Sequence, residues 1–156
     1  MNRSLFAVVV VIVVLSGMFA AAVRAHATLG GSIDSVESDG KALSAVRTAM
    51  TAHSNYTVHE FDSDSTAVRE YVSSSGIVFG IAWNGLIHPD LEQLLGSYAG
   101  EYQKALRQTP RKPGRRHIRL KTDSIVVEKW GHMRNLQGRA YDPALIPSGV
   151  SVDEIR

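Results

Sequence analysis

Three short strand-like runs, separated by clusters of polar residues, lie in the first half of the chain. These runs, rich in β-branched and aromatic residues, cover Tyr56–Phe61, Thr66–Val72 and Ile77–Trp83. Clusters of Ser, Asp and Gly separate them, and runs bounded by such turn formers are typical of antiparallel strands. The three runs therefore predict an antiparallel meander.

The third run is apolar on both sides, which is typical of a strand at the centre of a sheet. Strict alternation places Phe79 on the same side as Ile81 and Trp83, and puts the small residues Gly80 and Ala82 on the other side. We expect this run to be the central strand.

The strongest helical pattern in the chain covers residues 89–108. Pro89 suits a first helical position, and Asp90 and Glu92 suit the positive amino end of a helix. Apolar residues then recur on one stripe with a period of about 3.6 residues. The stripe consists of Leu91, Leu94, Leu95, Tyr98, Tyr102 and Leu106. This pattern predicts one long amphipathic helix packed across the sheet.

A shorter helix is expected near the amino-terminal end of the domain, because Asp39 can cap it and Leu43, Val46 and Met50 follow with helical spacing. Three further strands are predicted after the long helix. They cover residues 118–121, 124–130 and 134–141. The whole pattern predicts a single two-layer α+β domain with an antiparallel β-sheet.

The amino-terminal end carries a different pattern. An apolar stretch runs from Leu5 to Val23, with Arg3 before it and Ala25-His26-Ala27 after it. A short positive region, an apolar run and an A-x-A site are typical of a secretory signal peptide. We therefore expect residues 1–27 to be removed, the domain to cover 28–156, and the product to be exported to the periplasm or the extracellular space. The alternative is an uncleaved membrane anchor, because the stretch approaches the roughly 20 residues that span a bilayer.

Composition narrows the possible chemistry. The chain has no cysteine, which excludes disulfides, thiolate nucleophiles and sulfur metal ligands. From residue 28 onward there are 15 basic and 15 acidic residues, unevenly distributed. Residues 28–103 hold three Lys or Arg against ten Asp or Glu, whereas 104–156 hold twelve against five. The domain is therefore predicted to be electrically asymmetric.

The basic residues concentrate around a connector at about 109–117, between the long helix and the next strand. Its candidate contacts with an anionic surface are Arg111, Lys112, Arg115 and Arg116. Nucleic acid is disfavoured as a partner, because export separates the protein from it and 103–121 contain no Phe, Tyr or Trp to stack on bases. The remaining interpretations are contact with an anionic envelope surface or polymer, pairing with the acidic first half, or a solvated linker.

Catalytic and metal-binding motifs are incomplete. Ser38 and Lys41 match the S-x-x-K pattern of serine acyl enzymes, but the partner motifs of that class are missing. The histidines show no spacing suited to zinc. We expect no metal site and no cofactor.

The best candidate polar site is a group near the end of the chain, because arginine can bind carboxylate or phosphate and histidine can transfer protons. The group consists of His132, Arg134, Arg139 and Tyr141. The competing interpretation is structural pairing with Glu128 or Asp142.

Gly96 and Gly100 fall on the side of the predicted long helix that is opposite its apolar stripe. Exposed glycines in a helix cost about 1 kcal/mol each relative to alanine. One explanation for the pair is drift. The other is a docking strip of small residues, where a second backbone from a partner or from the chain's own tail approaches closely.

Beyond these patterns, the chain resembles a family of exported proteobacterial proteins known as domain of unknown function 2844. The most specific matching pieces are Gly131-His132-Met133-Arg134 and Gly138-Arg139-Ala140-Tyr141, followed by Pro143, Pro147 and Gly149-Val150. The other pieces are Thr28-Leu29-Gly30-Gly31, Arg69-Glu70-Tyr71-Val72, Gly76 with Val78-Phe79, Ala82-Trp83, and Pro89-Asp90-Leu91 with Leu94-Leu95-Gly96 and Tyr98. The resemblance implies an exported protein and brings no activity, cofactor or catalytic residue. The basic segment around 111–116 is outside the family pattern.

The sequence supports two functional hypotheses. The first is a small exported envelope protein that acts by non-enzymatic binding or assembly, with another envelope protein or an anionic envelope surface as its partner and with membrane contact only through an uncleaved signal. The second is a small envelope hydrolase or ligand-binding enzyme that uses the His132 group. A deep pocket holding His132 and a carboxylate would favour the enzyme, and a shallow surface would favour binding.

Overall fold

The computed structural model describes residues 29–33, 36, 41 and 43–156. Its strands are β1 (Val46–Ala52), β2 (Tyr56–Asp62), β3 (Thr66–Ser73), β4 (Val78–Gly85), β5 (His117–Lys121), β6 (Val126–His132) and β7 (Asn135–Tyr141). Two helices lie between β4 and β5, namely α1 (Leu91–Leu95) and α2 (Ala99–Gln108), joined by a 3₁₀ turn at Gly96–Tyr98. A second 3₁₀ turn covers Val152–Glu154. The α+β class predicted from the sequence is confirmed.

The seven strands form one antiparallel sheet in the order β1-β2-β3-β4-β7-β6-β5. The predicted meander is confirmed, because β2, β3 and β4 pair in sequence order. Strand β4 is the fourth of seven and is therefore central, as expected. The three predicted strands after the helix are also present, and they join the sheet through the pairing of β7 with β4.

One residue of the central strand faces the opposite way from its prediction. Between β3 and β4 the register shifts, so that Gly80 pairs with Tyr71 and Val78 pairs with Val72. Phe79 is the extra residue between these two pairs. This bulge moves Phe79 to the core cluster on the other face, away from Ile81 and Trp83.

The prediction of a short amino-terminal helix is wrong for the second half of that helix. Val46 and Met50 belong to strand β1, which pairs with β2 along its length, and they are 72% and 64% exposed. The predicted helix cap, Asp39, lies outside the described residues. Spacing of three apolar residues was therefore outweighed by the backbone hydrogen bonds that β2 offers to an adjacent strand.

The helical segment packs on one face of the sheet. The carboxylate of Asp90 caps α1 by accepting hydrogen bonds from the backbone N–H groups of Glu92 and Gln93. The predicted apolar stripe then packs against the sheet, with four of its members buried. They are Leu91, Leu94, Leu95 and Tyr102. The long helix is thus confirmed, although it begins at Leu91 rather than at Pro89 and is interrupted at Gly96.

The end of the chain packs on the other face. Ile155 is fully buried, and its side chain lies over Gly80, where a Cβ atom would stand 2.9 Å from the Ile155 Cδ1 atom. The Tyr71 hydroxyl accepts a hydrogen bond from the Arg156 N–H at 3.0 Å and donates one to the Arg156 carbonyl oxygen at 2.8 Å. The Tyr56 hydroxyl donates to Glu154 at 2.8 Å. Both faces of the central strands are therefore covered.

Candidate functional site

An open groove of about 850 Å³ lies at the carboxyl end of α2. The end of α2 and the connector that follows it form one wall, and the rest comes from β5, β6, the start of β7 and His88, which lies between β4 and α1. Leu106, Ile118 and Leu136 are the aliphatic residues that line it. The groove thus has an apolar component within reach of solvent.

The charge of this groove is one-sided. Among the residues that line it, none is acidic, and two are histidines, His88 and His117. Six are Lys or Arg, namely Arg107, Arg111, Lys112, Arg115, Arg116 and Lys129. Such an array produces a strong positive potential, because opposite walls of a cleft focus the field of their charges.

The connector owes its shape to local hydrogen bonds. Helix α2 ends at Gln108, and the Thr109 hydroxyl donates to the Ala105 carbonyl at 2.8 Å, which satisfies one of the last helical acceptors. Beyond Pro110, a turn is closed by a bond from the Arg115 N–H to the Lys112 carbonyl, and the Arg115 guanidinium donates to the Pro110 carbonyl at 3.0 Å. The sequence therefore folds the basic segment back toward the groove.

The four candidate contacts predicted in this connector all line the groove. Arg111, Lys112, Arg115 and Arg116 are exposed, and the structure brings them together with Arg107 from α2. Among the described residues that line the groove there is no Asp or Glu, so no carboxylate of the lining neutralises the connector side chains.

His88 is held in one orientation by a buried tryptophan. The Trp83 indole N–H donates to Nδ1 of His88 at 2.9 Å, so the proton of the neutral ring is on Nε2. Burial and then the charge of Lys129 lower the pKa of His88 below its ordinary value. His88 borders both the groove and a smaller cavity of about 270 Å³ on its other side.

The tryptophan itself depends on a glycine in the neighbouring strand. A Cβ atom at Gly138 would overlap ring atoms of Trp83 and the carbonyl oxygen of Glu128. Only glycine lets the indole lie directly across β7. Gly138 therefore supports the position of His88 through Trp83.

Lys129 is the second positioned group of the groove. Its ammonium donates to the Tyr102 hydroxyl at 2.9 Å and lies 5.6 Å from the centre of the Tyr102 ring. Tyr102 is buried against the sheet. Neither His88 nor Lys129 was singled out from the sequence, because the two are 41 positions apart and only the pairing of β4 with β7 and of β7 with β6 brings them to one groove.

The structure divides the polar group predicted near the end of the chain. His132 and Arg134 are exposed at the turn between β6 and β7, where Arg134 has a φ of +65°. Arg139 and Tyr141 are at the far end of β7, and at about 3.3 Å per residue Tyr141 is roughly 20 Å from the turn. The four side chains do not converge on one site.

Arg139 takes part in structural pairing, which was the competing interpretation of this polar group. Its guanidinium donates to Glu128 at 2.6 Å and to the Val152 carbonyl at 2.8 Å, and it stacks on the Tyr141 ring at 5.9 Å. Pairing with Glu128 is therefore confirmed. Asp142 pairs elsewhere, because it accepts a hydrogen bond from the Tyr98 hydroxyl at 2.7 Å.

The two glycines of the predicted docking strip are not equivalent. Gly96 has a φ of +48° and ends α1, so the expectation that both lie on one face of a continuous helix is wrong at Gly96. Its backbone conformation is itself a reason for glycine. Gly100 is within α2, and a Cβ atom there would meet nothing within 4 Å. The chain's own tail packs with Ile155 on the opposite face of the sheet, away from both glycines.

The described residues contain no group of three or more His, Asp or Glu side chains placed to hold a metal ion. None of their helices has the length and apolar character needed to cross a bilayer. The predicted signal, residues 1–27, lies outside the described part of the chain.

Comparison with known families settles one question. The model of the family described as protein of unknown function DUF2844 matches residues 25–155. The chain belongs to the DUF2844 family. This result confirms the resemblance seen in the sequence, and the matched region contains the whole sheet, both helices and the groove. No curated protein and no solved structure gives a significant match to the chain.

Proposed function

We propose that this DUF2844 protein is a binding protein that holds an anionic partner in the basic groove. The observation that carries the proposal is the charge of the groove: six Lys or Arg residues and no acidic residue line it. Like charges that are brought together repel one another and destabilise the folded state, so their clustering is not explained by folding stability. Sites where a local rule of stability is broken are expected to be functional.

The predicted export narrows the class of partner. An exported protein meets the anionic polymers and lipid surfaces of the cell envelope, and a cationic groove suits both. Among the partners considered from the sequence, the charge of the groove favours an anionic envelope surface or polymer over an envelope protein. The hydrolase alternative needs His132 and a carboxylate in one pocket, whereas His132 is at an exposed turn and Glu128 is paired with Arg139.

The proposed export has its own test. Because the A-x-A site ends at Ala27, mass spectrometry of the exported protein is expected to find Thr28 as the new amino terminus. Recovery of the intact chain in the membrane fraction would show instead that the apolar stretch is retained as an anchor. Neither result changes the charge of the groove, so export and binding are tested separately.

Binding is tested by removing charge from the connector. The variant replaces four groove residues by glutamine: Arg111, Lys112, Arg115 and Arg116. We expect it to lose retention on immobilised heparin and on vesicles of anionic lipid. In the wild type, added salt should weaken both, because exposed charges are screened within about 8 Å at physiological ionic strength.

A matched control removes the same number of charges outside the groove. It replaces four exposed cations that do not line it: Lys41, Lys104, Lys121 and Arg134. If the groove is the binding site, this control retains most of the binding. If both variants lose binding equally, only net charge matters and the proposed groove function is wrong.

A further inference from the structure

Two groups inside the basic groove differ from the connector arginines. Arg111, Lys112 and Arg116 are long exposed side chains. His88 and Lys129, in contrast, are each fixed by a hydrogen bond to an aromatic side chain that is at least 97% buried, Trp83 at 2% exposure and Tyr102 at 3%. Positioned donors lose less conformational freedom when a ligand binds, and so they give a defined site rather than a diffuse field.

The hydrogen-bond inventory shows what each group can still offer. Nδ1 of His88 is occupied by Trp83, which leaves the Nε2–H as a donor. The ammonium of Lys129 has three N–H donors, of which Tyr102 takes one. Both side chains line the same groove, and the sheet places Trp83 close to Lys129, since Trp83 pairs with Gly138 and Gly138 pairs with Lys129. Burial, and then the charge of Lys129, lower the pKa of His88. The pair presents a neutral donor beside a cationic one.

We propose that His88 and Lys129 form the anchoring site for a single phosphate group, carried by a ligand whose apolar part lies against Leu106, Ile118 and Leu136. The proposal rests on the proposed anion-binding function and names the chemistry of the ligand that binds at His88 and Lys129. A phosphate monoester has three terminal oxygens, so it can accept hydrogen bonds from His88, from Lys129 and from one of the connector arginines at once. A carboxylate carries a single negative charge on two coplanar oxygens, so it matches donors from three different side chains less well.

The ligand chemistry is tested with three small probes. Phenyl phosphate carries both features, inorganic phosphate lacks the apolar part, and phenol lacks the phosphate. Titrations followed by calorimetry or by ¹H–¹⁵N chemical shifts are expected to rank phenyl phosphate first and phenol last. If phenol binds as well as phenyl phosphate, the site is merely apolar and the proposal is wrong.

The anchoring role of Lys129 is tested against a matched lysine. Lys129→Gln keeps a donor for Tyr102 but removes the charge, and it is expected to weaken phenyl phosphate binding by about tenfold or more. Lys104→Gln removes the same charge from an exposed position outside the groove and should leave the affinity almost unchanged. Equal weakening by the two variants would overturn the proposal, because it would show a diffuse field.

His88 allows a rescue experiment. In His88→Gln, the amide oxygen can accept from Trp83 while the amide nitrogen donates to the ligand, so binding is expected to be largely retained. His88→Leu removes both functions and is expected to lose binding. Thermal unfolding of both variants checks the fold, and if His88→Leu is unfolded, the Lys129 pair decides the result. Loss of phenyl phosphate binding in Lys104→Gln would count against the proposed anchoring site. So would unchanged binding in His88→Leu.

The phosphate group can come from a lipid or from a soluble molecule. Vesicles that contain phosphatidic acid, compared with neutral vesicles, test the first source, and free phenyl phosphate tests the second. Dependence of either on Lys129 supports the anchor. Loss of heparin retention in the connector variant, with phenyl phosphate binding insensitive to Lys129→Gln, would refute the anchor while the wider groove function stands. The reverse result would refute the connector and retain the anchor.

Discussion

At the scale of single residues, the close contact between Gly80 and Ile155 fixes the end of the chain against the sheet. The position of Ile155 leaves no room for a Cβ atom at Gly80, since its Cδ1, Cγ2 and Cγ1 atoms would lie 2.9, 3.3 and 3.4 Å away. We expect Gly80→Ala to lower the free energy of unfolding by about 1–3 kcal/mol, because overpacking forces neighbouring atoms to shift. Urea denaturation measures the change.

The double variant supplies the control for this prediction. Ile155→Val removes the Cδ1 atom that would lie closest to the new methyl group. The loss in Gly80→Ala with Ile155→Val should therefore be smaller than the sum of the two single losses. Simple additivity would show that the two residues do not oppose each other in this way.

A second residue, His59, makes stability depend on pH. It is 2% exposed, its cross-strand neighbours are Met50 and Glu70, and neither ring nitrogen has a hydrogen-bond partner within the described part of the chain. Burial, and then the charge of Arg47, lower the pKa of His59 below its ordinary value. The folded protein therefore takes up a proton less readily than the unfolded chain does.

The sign of the effect follows from this lowered pKa. Well above pH 6.5 both states hold a neutral His59, and the residue adds no pH dependence. As the pH falls below that value, the unfolded chain is protonated first and the free energy of unfolding decreases. We expect His59→Leu to flatten the decrease between about pH 7 and about pH 5, as measured by denaturation at each pH. An unchanged slope in the variant would assign the effect to other groups.

At the scale of elements, the interruption between α1 and α2 separates two glycines that look alike in the sequence. Gly96 has a φ of +48° and a ψ of −113°, a sparsely populated conformation that costs L-residues about 1–3 kcal/mol, so Gly96→Ala is expected to destabilise the fold. Gly100 is exposed in α2 with open space around its missing Cβ, so Gly100→Ala is expected to add up to about 1 kcal/mol. Thermal unfolding of the two single variants should therefore shift in opposite directions. A stabilised Gly96→Ala would contradict the backbone explanation.

Elements were predictable from the sequence where burial imposes a period on the residues. Strands β2, β3 and β4 each carry apolar residues that the sheet buries, and their runs were recognised directly. Strand β1 carries no such signal, because Val46 and Met50 are exposed and their spacing resembles a helix. The reversal of Phe79 depends on a bulge, and a bulge is a property of two paired strands rather than of one.

The candidate site follows the same division. The cationic connector was evident, because Arg111, Lys112, Arg115 and Arg116 are close together in the sequence. His88 and Lys129 were not evident as a pair, since His88 follows the central strand whereas Lys129 belongs to β6, which comes after α2 in the chain. Their proximity is a consequence of tertiary packing. No local pattern encodes it.

At the scale of the whole molecule, the uneven charge of the sequence becomes a separation in space. Strands β1 to β4 come from the acidic part of the chain and lie side by side, whereas β7, β6 and β5 come from the basic part and form the remainder of the sheet. The basic groove belongs to this second half. A protein with such an asymmetry is expected to approach an anionic surface with the β5 end first, and added salt should slow that approach.

The order of the strands also bears on how the sheet assembles in time. Among the described strands, every neighbouring pair but one is consecutive in sequence, and the exception joins β4 to β7 through contacts such as Gly80 with Tyr141. Consecutive strands close short loops, so each group can form quickly by itself. Pairing of β4 with β7 closes a loop that contains the two helices, β5 and β6. The chain loses conformational entropy on this closure before the contacts between the two strands stabilise it. Joining the two halves through this pairing is therefore expected to set the folding rate.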